Sequence, residues 1–300
     1  SALGQLGLTL PLGEHWQVYA GYLAQVANVS KDVVKPILGD ESGCVNPSAS
    51  DPLCRPPNRG EAIVPDRTGA IQGGAVWQRV DNAFNPNKGF ILTLDGLFAT
   101  PSLGTDWFLR GDVGWQHFIP IPRTDQRVGF RYSLRYGHIF TLDRLPGSAT
   151  SAAEVWRYFG GGTIDLGIRG IEPQTMLVDV ERIGGPYGSV RLAPTAQGGH
   201  IRALGTVALQ VVSVQSFLGG KLAHSVFVDA GVLTQAWSQV VPGRDIRRSV
   251  GLNFVKWDIR IVTVSVGYAV LVPDWLIPGG NVGPTDDRNG RFVFDVGATF

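Results

Sequence analysis

Arg169 stands near the end of a stretch, Trp156 to Ile171, that reads WRYFGGGTIDLGIRGI. Gly160, Gly161 and Gly162 lie on one side of it and Gly170-Ile171 on the other. So much glycine favours neither a regular strand nor a helix. The stretch therefore reads as a loop folded closely on itself that carries one guanidinium at its tip. Placed in a confined interior, such a group needs a carboxylate, and a two-pronged pair would pin the loop; a solvated loop arginine is the other reading. A second set of charges lies on strands. Arg127, Arg131 and Arg135 recur at every fourth position, with Arg110, Asp95 and Asp112 upstream. Facing a lumen, they could line an anion-favouring pore or, more plainly, knit a hydrogen-bonded network.

Other chemistry is poorly served. His15, His117, His138, His200 and His224 are scattered, with no spacing that suggests a serine–histidine–acid triad. His138 and His200 read as lining a lumen or a loop. No Gly-x-Ser-x-Gly, metal-binding helix or phosphate loop occurs, and the triple glycine lacks the strand–helix context of a phosphate cradle. The expectation is a protein that is not an enzyme and holds no cofactor or metal. Cys44 and Cys54 share one Pro/Asn/Ser-rich segment. A disulfide there fits an oxidising envelope or cell surface, with two free thiols as the alternative; no histidine lies near them to complete a metal site.

The elements that must carry these residues are strands. Leu6, Leu8, Leu10 and Leu12 alternate with polar or small residues, as do Trp16, Val18, Ala20, Tyr22, Ala24 and Val26. Residues 30–69 read as a long polar loop of the extracellular side, and a weaker strand covers 70–81. Clear alternation returns from Phe90 to Phe98, Trp107 to Gln116 and Arg127 to Tyr136. After an irregular region to about Gly199 it resumes in Ile201–Val211, Ser225–Val232, Ser249–Phe254, Val262–Val270 and Arg291–Phe300. No helical periodicity of useful length and no internal repeat are visible.

Several such strands, with Trp and Tyr near their ends, favour a barrel with lipid outside and a polar lumen over a soluble sandwich. Composition agrees. Charged residues are 17% of 300, and the mean hydropathy is +0.07. No run of about 18 apolar residues exists, which excludes transmembrane helices. The net charge of +1 implies no broad attraction to nucleic acid. Ser1 opens the chain without a charged start and apolar stretch, so a processed chain or a fragment is expected. The fold class is therefore all-β, a transmembrane antiparallel barrel of about 12 strands in this chain. It occupies 1–300 as one domain, with the glycine-rich loop of 141–199 folded inward. About eleven strands can be counted, whereas bacterial single-chain barrels use even numbers.

Two features carry a resemblance. Phe292, Phe294 and the terminal Phe300 resemble the C-terminal strand by which outer-membrane barrels are recognised for assembly. Tyr158-Phe159-Gly160-Gly161-Gly162, then Arg169-Gly170-Ile171, resembles the aromatic, Gly-Gly, Val-Arg-Gly-Phe/Tyr signature of the BamA/TamA superfamily of outer-membrane assembly factors. In that family it marks a sixth extracellular loop folded back into the lumen. Gly198-Gly199-His200 before a strand, Phe227-Val228-Asp229-Ala230-Gly231, and Asn85-Pro86-Asn87-Lys88-Gly89 are similar, in order, to further family features. The resemblance implies that Arg169 pairs with Asp229 on the inner wall. Gln210 stands where the family tends to have a second acid, so a hydrogen bond there would be the other tie. Ile171 replaces the usual aromatic, and the glycine-to-arginine spacing is about two residues longer than the family's.

The family barrel has up to 16 strands, and no periplasmic POTRA modules can be read here, which implies a barrel-only relative or a piece of a longer protein. The implied function is insertion, assembly or translocation of outer-membrane proteins in the outer membrane of a Gram-negative bacterium. The alternative is a passive pore or an accessory subunit of a larger envelope complex. The implied partners are the bilayer with its lipopolysaccharide, client outer-membrane proteins or accessory envelope subunits, and no nucleic acid.

Overall fold

The computed structural model describes residues 2–27, 66–82, 86–104, 107–142, 158, 168–169, 178–184, 190–196, 199–217, 220–240, 245–259, 262–272 and 290–298. Six strands come first: β1 (Ala2–Leu12), β2 (Trp16–Ala27), β3 (Asp66–Val80), β4 (Gly89–Ala99), β5 (Phe108–Pro120) and β6 (Val128–Thr141). A short hairpin follows, β7 (Val178–Gly184) with β8 (Val190–Ala196). The remaining strands are β9 (Ile201–Phe217), β10 (Gly220–Thr234), β11 (Arg247–Ile259), β12 (Val262–Leu271) and β13 (Arg291–Ala298). The main sheet has 11 strands, all antiparallel, in the order β1-β2-β3-β4-β5-β6-β9-β10-β11-β12-β13. It is a stretch of barrel wall with β1 and β13 as its edges among the described residues. A 3-10 turn, Trp237–Gln239, follows β10.

Alternation assigns the two faces. Leu6, Leu8, Leu134, Val207, Val226, Val228, Phe292 and Phe294 are exposed outward, Leu6 at 79% and Phe292 at 78%. A soluble protein would not leave continuous rows of this kind in water, whereas lipid covers them without cost. Near the short connections the outward face carries a run of rings: Trp16 stacks on Trp77 at 5.3 Å, Trp77 meets Phe90 edge-on at 4.7 Å, and Phe90 stacks on Trp115 at 5.1 Å. Amphipathic rings at one level are the girdle expected at a membrane–water interface.

Connections alternate in length around the sheet. Those at one end, 13–15, 81–88, 121–127, 218–219 and 260–261, are short; at the other end 28–65, 142–200 and 272–290 are long, and 100–107 and 235–246 are of moderate length. Long connections mark the extracellular rim of such barrels. The first of them ends sooner than the alternation suggests, because β3 begins at Asp66 and not at 70. Two further strands lie where the sequence reads only an irregular stretch, since each strand of the β7–β8 hairpin has 7 residues and the second contains Pro194. A β-bulge between Asn253 and Val255 puts both Phe254 and Val255 outward, at 47% and 38% exposure. Simple period-two reading misses it, because a bulge shifts the phase by one residue.

Candidate functional site: the in-folded loop and its seat

Strand β10 presents Phe227, Asp229, Gly231 and Leu233 to the inside, because residues two apart share a face. Each does something different to the loop. The Arg169 guanidinium donates through Nε to Asp229 Oδ2 at 2.7 Å and through Nη2 to Asp229 Oδ1 at 2.5 Å. Its backbone N–H adds a third bond to Oδ2 at 3.2 Å. The same guanidinium lies over the Phe227 ring, 3.2 Å from its centroid. Arg169 and Asp229 are 3% and 2% exposed, so the pair is fully enclosed. Charges removed from water in this way persist only when every strong donor is matched; here the carboxylate takes three donors and the ring covers the remaining face.

Gly231 makes room for the residue before the arginine. A Cβ there would lie 3.3 Å from Ile168 Cδ1 and 2.9 Å from the Ala203 carbonyl oxygen, and would run into Leu204. Ile168, 1% exposed, packs in a buried apolar cluster with Leu233, Tyr158, Phe108 and Ile139. The loop is thus laid along β10, from Leu233 past Gly231 to Asp229.

At the other end of the described loop, Tyr158 and Gly199 form an isolated antiparallel bridge, with N–H to carbonyl bonds of 2.9 and 2.8 Å. The Tyr158 ring is 3% exposed and sits between two cations, Arg110 at 4.5 Å and Arg202 at 4.7 Å from its centroid. Both arginines bind one carboxylate: Arg110 Nε reaches Asp112 Oδ2 at 2.7 Å and Arg202 Nη2 reaches Asp112 Oδ1 at 3.1 Å. Strand register explains the convergence. Tyr19, Gly74, Asp95, Asp112, Gly137 and Arg202 form one row across the sheet, each paired with the next. The Tyr19 hydroxyl donates to Asp95. The charges singled out in the sequence, Arg110, Asp95 and Asp112, therefore belong to this network.

Other expected residues fall elsewhere. Gln210 is not a tie for Arg169. It pairs with Ser225 on β10, four residues from Asp229, and at about 3.3 Å per residue that is about 13 Å away along the strand. Arg131 faces inward and donates to Gln116 Oε1 at 3.0 Å, over the Phe118 ring at 5.3 Å. Arg135 shares that inner face by register, opposite Gly114. Arg127 precedes β6 in an exposed turn, donating its backbone N–H to the Thr124 carbonyl at 2.8 Å. His138 does not line the lumen. It has the parity of Tyr136 and Phe140 and lies on the outward face between those rings. His224, also outward, lies 3.0 Å from the Ser213 hydroxyl and contacts the Phe254 carbonyl. Its orienting partner is a backbone carbonyl beside a bulge, and the Ser213 hydroxyl is also placed to donate to Leu222 O at 3.2 Å, so the imidazole staples irregular backbone. Gly160, Gly161, Gly162, Gly170, Ile171, Cys44, Cys54 and Phe300 lie outside the described residues. The residues that sequence reasoning missed as a group are Tyr158, Gly137 and Arg202.

The arrangement offers no reacting group poised on a substrate. What it does is fix a loop, by charge and ring contacts, to the inside of a membrane wall. The sequence profile of the Omp85 superfamily domain matches residues 1–300. Among solved structures, the chain is similar to BamA from Haemophilus ducreyi lacking POTRA domains 1-3, with a TM-score of 0.65 at 15% identity. That match covers 99% of this chain and 53% of the other, so the chain spans about half the length of that structure. No curated protein sequence matches it.

Proposed function

Because the chain belongs to the Omp85 superfamily, whose barrels lie in the outer membrane of Gram-negative bacteria, we propose that this barrel inserts client outer-membrane proteins. The family as a whole is one of protein assembly and translocation, not of covalent catalysis. The single observation that supports the finer reading is the loop seated against the inside of the wall by the enclosed Arg169–Asp229 pair.

Catalysis in this sense is the lowering of a barrier to strand addition. Among the described residues β13 hydrogen-bonds to one neighbour, β12, over eight residue pairs from Val262–Ala298 to Ala269–Arg291. We read its other edge as the place where a client strand adds, since an extended segment adds to a strand edge through main-chain hydrogen bonds. Outward Phe292 and Phe294 would face lipid while a client strand is added. The role of Phe292, Phe294 and Phe300 as this protein's own assembly signal belongs to the same reading.

The test is depletion of the full-length protein in its own organism, with outer-membrane proteins followed by the gel shift that distinguishes folded from unfolded barrels. Unfolded clients should accumulate within a few generations. Normal client folding, together with steady ion conductance by the purified protein, would replace this reading with that of a passive pore.

A further inference from the structure

We infer that Tyr158, in contact with Arg110 and Arg202 beside their shared Asp112, is a second positioning site for the in-folded loop, besides the Arg169–Asp229 pair. Three observations converge on it. The ring is enclosed, and both guanidinia lie within cation–π range of its centroid. Gly137 clears the space for it: a Cβ there would stand 2.5 Å from the Tyr158 hydroxyl oxygen and would run into Asp112. The backbone of the same residue is bridged to Gly199, directly before β9.

The placement gives this site its own task. Arg202 pairs with Leu233 on β10, four residues toward the extracellular rim from Asp229, or about 13 Å at about 3.3 Å per residue. One site therefore holds the base of the loop against β5, β6 and β9, while the other holds the tip against β10. A loop with a single attachment would swing about it; two attachments at this separation fix both position and direction. The ring does what a second ion pair could not. It accepts two cations without adding charge, so one carboxylate suffices for both arginines.

The bearing of this site on client insertion rests on the function proposed above; its bearing on loop position does not, and the experiment reads position alone. The full-length protein, with Cys44→Ser and Cys54→Ser, would carry Thr163→Cys, a loop position between the two attachments in sequence, as a reporter in its native membrane, and a small permeant maleimide would report access to that position. Tyr158→Ala should speed labelling by about tenfold or more, as two desolvated cation–ring contacts are lost. Tyr158→Phe keeps the ring and should stay within about twofold of the parent. Asp112→Asn, which changes charge and not volume, should fall between them. The folded-barrel gel shift confirms in each case that the wall is intact. Unchanged labelling in Tyr158→Ala would overturn the proposal. Equal acceleration by Tyr158→Phe would also overturn it, by assigning the effect to the hydroxyl near the Gly111 carbonyl and not to the ring.

Discussion

At the tip of the in-folded loop one guanidinium meets one carboxylate, and both are shut away from solvent; at its base two guanidinia share one carboxylate around a ring. Arg169 and Asp229 have side chains only 4% and 3% accessible, whereas Arg110 and Arg202 retain 27% and 12%. At the tip three donors converge on one carboxylate. At the base Arg202 Nε is buried without a partner among the described residues. The tip is geometrically exact and intolerant, since a bidentate fork fits one orientation. The base is adaptable, because a ring face accepts a cation over a range of positions. Fixing a loop inside a wet lumen takes both kinds of contact: one that sets register and one that tolerates small movement of the wall.

The sharpest way to break this comparison is to remove one carboxylate from each site. Asp229→Ala leaves an enclosed guanidinium without its counter-charge, and such losses cost about 3–5 kcal/mol. Asp112→Ala should cost distinctly less, because Arg110 can turn toward water. Thermal midpoints of the gel shift, read together with protease sensitivity of the loop, would rank the two. Equal costs would mean that the base is as rigidly built as the tip.

Next in size is Gly231→Val. The added branch meets Leu204, the Ala203 carbonyl and Ile168, and overpacking of this kind costs about 1–3 kcal/mol. The effect should appear as accelerated loop proteolysis while the barrel remains folded. Phe227→Leu is expected to be milder. It keeps an apolar group of similar bulk beneath Arg169 and removes only the ring face, worth about 0.5–2 kcal/mol at a desolvated site. If Phe227→Leu proved costlier than Gly231→Val, the ring and not the packing would set the tip.

Much of this was legible beforehand, for identifiable reasons. Phe227 and Asp229 are two apart and alternate with Val226 and Val228, so period-two alternation alone assigns the first pair inward. Alternation supplies the inward carboxylate, and the family resemblance singles out Asp229, not Asp95 or Asp112, as the partner of Arg169. The base site was not legible, because its members at 110, 112, 158 and 202 come from β5, the loop and β9. Only the register of β5 against β6, and β6 against β9, brings Asp112 and Arg202 into one row. His138 could have been placed outward from the parity of Phe130, Leu134 and Tyr136; treating histidine as a lumen residue by type overrode the pattern. The bulge at Phe254 has no comparable warning in the sequence.

Gln210 supplies the smallest expected effect and the cleanest control. Its place in the chain invites the role of a second tie to Arg169, yet it sits in the row of Ser225 and Gly129, toward the short-connection rim. All three hydrogen bonds of Arg169 go to Asp229, and the Ser225 row lies about 13 Å along the strand from the Asp229 row. Gln210→Ala should therefore leave loop protease sensitivity unchanged and shift stability by no more than about 0.5 kcal/mol, the range of a substitution away from any packed or paired feature. Were it to free the loop as Asp229→Ala does, Gln210 would count as a further tie at the tip, and the seat described along β10 would have to be extended to it.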